Sequence, residues 1–93
     1  MHLQKEMREG LIEKKVTENA KKLGWLSFKW VSTSQRGVPD RLYFKDGKCV
    51  VVEFKATGKK ATPYQQAVHR KLESVGIKVH IVDSVEGGAE ILC

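Results

Sequence analysis

Apolar residues recur at helical spacing near the start of the chain. Ile12, Val16, Ala20 and Leu23 follow the i, i+4, i+8, i+11 pattern, which predicts one amphipathic helix from about Gln4 to Leu23. Gly24 is a C-terminal stop, and Lys21 and Lys22 in the last turn suit the helix dipole. Gly10 weakens the early part by about 1 kcal/mol relative to Ala. From Trp25 the period shortens to two. Trp25 to Val31 reads as a strand whose Leu26, Phe28 and Trp30 share one face. A polar loop, Ser32 to Pro39, leads to a second strand over Asp40 to Phe44. Lys45-Asp46-Gly47-Lys48 is a turn, because Asp-Gly supplies the positive φ of a tight hairpin. A third strand follows from Cys49 to Lys55.

The helical period then returns. After a basic loop from Ala56 to Ala61, Thr62 fits an N-cap, Pro63 the first helical position and Gln65 the return arm of a capping box. Ala67, Val68, Leu72 and Val75 form the apolar side of this helix, and Gly76 ends it. Ile77 to Val82 is a fourth strand. Ser84 to Cys93 is a short terminal element interrupted by Gly87-Gly88. The order is α-β-β-β-α-β in a single domain spanning residues 1–93. A crossover helix lets the third and fourth strands lie parallel, so the expected fold class is α/β, with a mixed β-sheet flanked by helices.

Composition adds a partner class. The 93 residues carry 17 Lys and Arg against 11 Asp and Glu, a net charge of +6. That balance favours a polyanion such as nucleic acid. The two cysteines, Cys49 and Cys93, show no zinc spacing and read as free thiols of a reducing cytoplasm. Met1 to Gly10 has no apolar signal-peptide region, and no apolar run approaches the ~20 residues of a membrane span.

The chemistry concentrates between Gly37 and Lys55. Glu53 and Lys55 stand two apart on the third strand and so project together, opposite Val52 and Phe54. Asp40 opens the preceding strand. Two acids and a lysine converging are suited to holding a divalent cation beside a phosphate. A plain ion pair at a strand end is the competing account of Glu53 and Lys55, and a turn role that of Asp40. On the first helix Glu9 falls near the centre of the apolar stripe, where a carboxylate needs a partner. Glu13 at the stripe's edge is the alternative, and a first turn that extends past the core would account for Glu9 without a site. Gln65 is accounted for by the capping box alone, and one side-chain amide would not fully serve a second role as well. His69, one turn further, reads as structural. Arg36, Lys59 and Lys60 lie in loops beside the acids and are candidate phosphate contacts.

Gly-x-Pro-Asp, a strand and then Glu-x-Lys, with an acidic helix upstream, resembles the PD-(D/E)XK nuclease superfamily. The closer resemblance is to the virus-type replication-repair nuclease (VRR-NUC) domain. It is carried by Glu9, Gly24, Lys29, Arg36 to Arg41, Val52 to Lys55, Gly58 to Lys60, Gln65, His69, Leu72 and Gly76. The resemblance implies a restriction-endonuclease-like core and Mg²⁺- or Mn²⁺-dependent cleavage of DNA. It implies metal ligation by Glu9, Asp40, Glu53 and the Phe54 carbonyl, with Asp40, Glu53, Lys55 and Gln65 as catalytic residues. Stand-alone members that look like this suggest a homodimer acting on branched DNA such as four-way junctions. A viral origin would place it in the host cytoplasm. The competing class is a DNA-binding module that kept the fold without catalysis.

Overall fold

A computed structural model describes residues 6–93. Its elements run α1 (Glu9–Lys22), β1 (Leu26–Lys29), β2 (Arg41–Lys45), β3 (Lys48–Phe54), α2 (Pro63–Ser74), β4 (Val79–Val82) and α3 (Val85–Ile91). One sheet holds the strands in the order β1-β2-β3-β4. The first two pairings are antiparallel, and β3 and β4 run parallel through the α2 crossover. The expected α/β class and mixed sheet are therefore present. The hairpin turn has Asp46 at φ 51° and Gly47 at φ 75°, the mirror-image turn that matches strand twist.

Strand β3 is the spine of the sheet. Val51 to Lys55 are all buried, so both of its faces are covered. Tyr43, Val52, Phe54 and Val82 turn to one face and pack with Ile12, Val16 and Ala20 of α1 and with Leu92. Tyr43 Oη and Thr17 Oγ1 share a hydrogen bond of 2.8 Å. The Trp25 indole N–H donates to the Leu92 carbonyl at 3.0 Å, tying the chain's end to this core. On the opposite face α2 lies along β4 and covers the side to which Val51, Glu53 and Val79 point.

Several expected boundaries move. The first helix starts at Glu9, not near Gln4, which lies outside the described residues. Met7 and Thr57 exchange hydrogen bonds instead: Met7 N–H donates to Thr57 Oγ1, and Thr57 N–H to the Met7 carbonyl, each at 3.0 Å. That pairing holds the chain extended where a further helical turn would stand. Leu23 and Val75 are exposed C-caps, not members of an apolar stripe. Ile77 continues the end of α2, its N–H donating to the Leu72 carbonyl, so the fourth strand begins later than expected.

The Gly87-Gly88 pair does not break the terminal element. Ser84 caps α3 by accepting from Gly87 N–H at 3.0 Å. Gly88 meets Val16 of α1, and a Cβ there would come within 2.5 Å of a Val16 methyl. Helix propensity alone favours Ala over Gly by about 1 kcal/mol, so the sign of Gly88→Ala decides whether close packing governs the position. We expect a net loss of about 1–3 kcal/mol, read as a lower denaturant midpoint at unchanged slope. An unchanged or raised midpoint would show that Val16 yields freely.

Candidate active site

The site forms where β2 begins and β3 and β4 end. Asp40 immediately precedes β2 and is held by the ladder on both sides. Its N–H donates to the Val52 carbonyl at 3.0 Å, and its carbonyl accepts from Trp30 N–H at 2.9 Å. Its Oδ2 accepts from the Phe54 N–H at 2.7 Å. A strand residue's N–H and C=O point to the same edge, so the Phe54 carbonyl looks towards Asp40 as well. The lead-in is fixed by close packing. Pro39 is fully buried. Gly37, at φ +84°, lies so near the start of α2 that a Cβ would approach the Tyr64 carbonyl to 2.9 Å.

Glu53 is only 1 % exposed. Its Oε2 accepts from Gln65 Nε2 at 3.0 Å and lies 3.9 Å from Lys55 Nζ. Its Oε1 has no hydrogen-bond partner and faces His69 Nε2 at 3.6 Å, which also has none. Burial, the Asp40 charge and hydrogen-bonding contact with Asp40 push the Glu53 carboxyl up to about 8, against a smaller pull from Lys55. Burial and a like charge close by both disfavour the ionised form of Glu53. Burial also lowers the His69 pKa, which favours a neutral imidazole.

The helical acids divide. Glu9 is exposed in the first turn of α1, past the end of the core, and does not sit at the centre of a buried stripe. Its carboxyl is nevertheless raised, first by partial burial and then by the Asp40 charge, with Lys55 opposing; it borders the site. Glu13 is committed elsewhere, in an ion pair with Arg41 at 2.7 Å. Gln65 serves both of its candidate roles. Its Oε1 accepts from Thr62 N–H at 2.9 Å to close the capping box, while its Nε2 donates to Glu53. The expected conflict disappears because an amide has an acceptor end and a donor end.

Lys59 and Lys60 are exposed in the loop between β3 and α2. That loop is tied down by Gly58 N–H donating to Asp83 Oδ2 at 3.0 Å. Arg36 lies over the ring of Tyr64, 4.7 Å from its centroid. The contact of His69 with Glu53 went unread in the sequence. Its signal was the spacing, since a residue four after Gln65 lies on the same helix face.

Among the described residues no three His, Cys, Asp or Glu side chains cluster as a ready metal cage. The fit rests on the carboxyl pair. Glu53 Oε1 is an unpartnered buried oxygen, the Asp40 carboxyl lies near enough to Glu53 to raise its pKa, and the Phe54 carbonyl adds a third hard donor. These suit an oxygen-seeking divalent cation.

Fold and site together define a small α/β nuclease domain. A comparison with protein-family models finds no match. The chain is 44% identical over 79 residues to "Putative nuclease p44" of Acyrthosiphon pisum secondary endosymbiont phage 1, covering 84% of this chain and 85% of that protein. It superposes on a solved structure described as a VRR_NUC domain with a TM-score of 0.83 at 28% identity, over 90% of this chain and 92% of that one. The chain belongs to the VRR-NUC nuclease family.

The raised Glu53 carboxyl makes stability depend on pH in a stated direction. The unfolded chain releases this proton near 4.5, and the folded state keeps it to about 8. Between those values the folded state binds more protons, so this group's contribution falls as pH rises. In EDTA, Glu53→Gln should therefore flatten the fall of Tm from about pH 4.5 to about pH 8 and leave the variant the more stable protein at pH 8.5. Mg²⁺ or Mn²⁺ should raise the parent's Tm but not the variant's. Parallel pH profiles of the two proteins would remove the buried-carboxyl account.

Proposed function

We propose that this nuclease cuts DNA phosphodiesters with Mg²⁺ or Mn²⁺, acts on branched DNA such as four-way junctions, and works as a homodimer. The observation that carries the metal dependence is the closeness of Asp40 to the buried Glu53, whose Oε1 is unpartnered. Asp40, Glu53 and the Phe54 carbonyl would hold the cation, with Glu9 at the border as a further oxygen donor. When bound, the cation supplies polarisation of the phosphate and acidification of water.

The remaining work belongs to the chain. Lys55 Nζ, anchored beside Glu53 at 3.9 Å, orients the attacking water and offsets the negative charge that develops on the phosphate. Gln65 fixes Glu53 Oε2 and so orients the carboxyl. Lys59 and Lys60, with the charge of Arg36, draw the DNA backbone to the site.

The dimer reading rests on the half of the sheet that α2 leaves bare. Leu26 and Phe28 are 55% and 56% exposed and stand opposite Phe44 and Leu42 in the pairing register. A second copy would cover this apolar face, and a two-fold enzyme places two sites on two strands of a symmetric substrate.

Supercoiled plasmid and a synthetic four-way junction, each with Mg²⁺, Mn²⁺ or EDTA, test the reading. Cutting should need the metal. Asp40→Asn and Glu53→Gln should lose cutting while staying folded, and Asp40→Asn should bind DNA at least as well as the parent because it removes charge beside phosphate. Undiminished cleavage by Glu53→Gln would sink the assignment. Binding in EDTA without cutting under any metal would leave a non-catalytic DNA-binding module.

Two further measurements divide the partner claims. Lys59→Ala with Lys60→Ala should weaken binding and flatten its salt dependence; an unchanged slope would move the DNA contact elsewhere. Light scattering at micromolar concentration should give twice the 10.5 kDa monomer mass, and a mass that stays at the monomer with and without DNA refutes the dimer.

A further inference from the structure

At the start of α2 stands an aromatic ring that the core does not use. Tyr64 is 59% exposed. Its neighbour Gln65 holds Glu53, so the ring sits one residue from the proposed chemistry. The Arg36 guanidinium lies over it at 4.7 Å. Both partners are fixed in place. Gln35 N–H donates to Ser32 Oγ at 3.0 Å, and the Gln35 side-chain amide donates to the Arg36 carbonyl at 2.8 Å. Gly37 then seats the loop against the Tyr64 backbone so closely that no Cβ fits without movement. Contact with phosphate alone requires neither the ring nor this packing.

We propose that the Tyr64–Arg36 pair is a stacking platform for an unstacked nucleobase and sets the preference for branched over continuous DNA. The inference rests on reading this chain as a nuclease for branched DNA. Aromatic rings and guanidinium planes stack on any base, because every base has a π face. In a continuous duplex both faces of each base are already stacked on neighbours. At a branch point the stack is interrupted and a face is available. The platform thereby reads the shape of the DNA without reading its sequence. It also gives the planar Arg36 a role that a lysine would not fill, since a guanidinium offers a flat face for a base to stack on and an ammonium does not.

The test measures affinity for a four-way junction and for a linear duplex of the same sequence, in EDTA so that nothing is cut. A 2-aminopurine beside the branch reports stacking. The parent should prefer the junction and quench the probe. Tyr64→Ala should lower the junction-to-duplex affinity ratio about tenfold and lose the quenching, while Tyr64→Phe retains both. Tyr64→Leu keeps apolar bulk without a flat ring and should behave like Tyr64→Ala, which covers the case of an alanine variant that fails to fold. A parent that prefers the junction, with Tyr64→Leu keeping the full ratio and the quenching, overturns the platform alone. A parent that binds junction and duplex alike overturns the branched-DNA reading, and the platform with it.

Discussion

The arrangement of this protein turns on two carboxyl groups that meet at one corner of the sheet, Glu53 buried and Asp40 partly so. Asp40 is anchored there by the Phe54 N–H at 2.7 Å, and Glu53 is brought to it by the β2–β3 register. Their proximity and burial push Glu53 up to about 8. In an apolar corner such a pair opposes folding. The surrounding structure offsets part of that cost with one amide and one ammonium, and leaves an oxygen of Glu53 unanswered. A site built only for stability would have satisfied that atom.

The layering of the sheet follows from the same corner. Glu53 must point away from the α1 face, because Val52 and Phe54 on that face complete the main core. Something else then has to cover Glu53, and α2 does so with Gln65 and His69 from its first two turns. Twelve residues of helix lie along β4 and reach β3 through Gln65 and His69 on Glu53. Over β1 and β2 the same face stays open and apolar, with Leu26 and Phe28 more than half exposed. The bare half and the buried acid thus share one geometric cause, a single short helix laid across half a sheet.

Much of this was legible in the sequence. The Asp-Gly turn, the capping box at Thr62 and Gln65, and the crossover between parallel strands are local signals, and each stands where it was read. Period-two alternation put Glu53 and Lys55 on one face, and the position of Asp40 at the start of the preceding strand put it at the same end of the sheet. Other features depended on tertiary partners that no local pattern encodes. The start of α1 was misplaced because Met7 pairs with Thr57, fifty residues away. Gly88 read as a breaker because its neighbour is Val16 on another helix. The two ends of the Gln65 amide could be assigned only once Glu53 was seen above the helix start.

Gln65 also shows why the chemical type of a neighbour matters more than its reach. A lysine at this helix start would pair with Glu53 and favour its ionised form, but it would add a fixed positive charge where a cation is expected. A glutamate would set a third carboxyl beside two that already repel each other. An amide orients the carboxyl without altering the charge of the corner. Lys55, the one ammonium close to Glu53 among the described residues, stands 3.9 Å from Oε2, longer than a tight charged hydrogen bond of about 2.7–2.9 Å. It therefore keeps donor capacity for another partner. Neutral orientation from one side and a loosely held positive charge from the other leave the corner able to accept a cation and a phosphate together, where a closed salt bridge would have filled it.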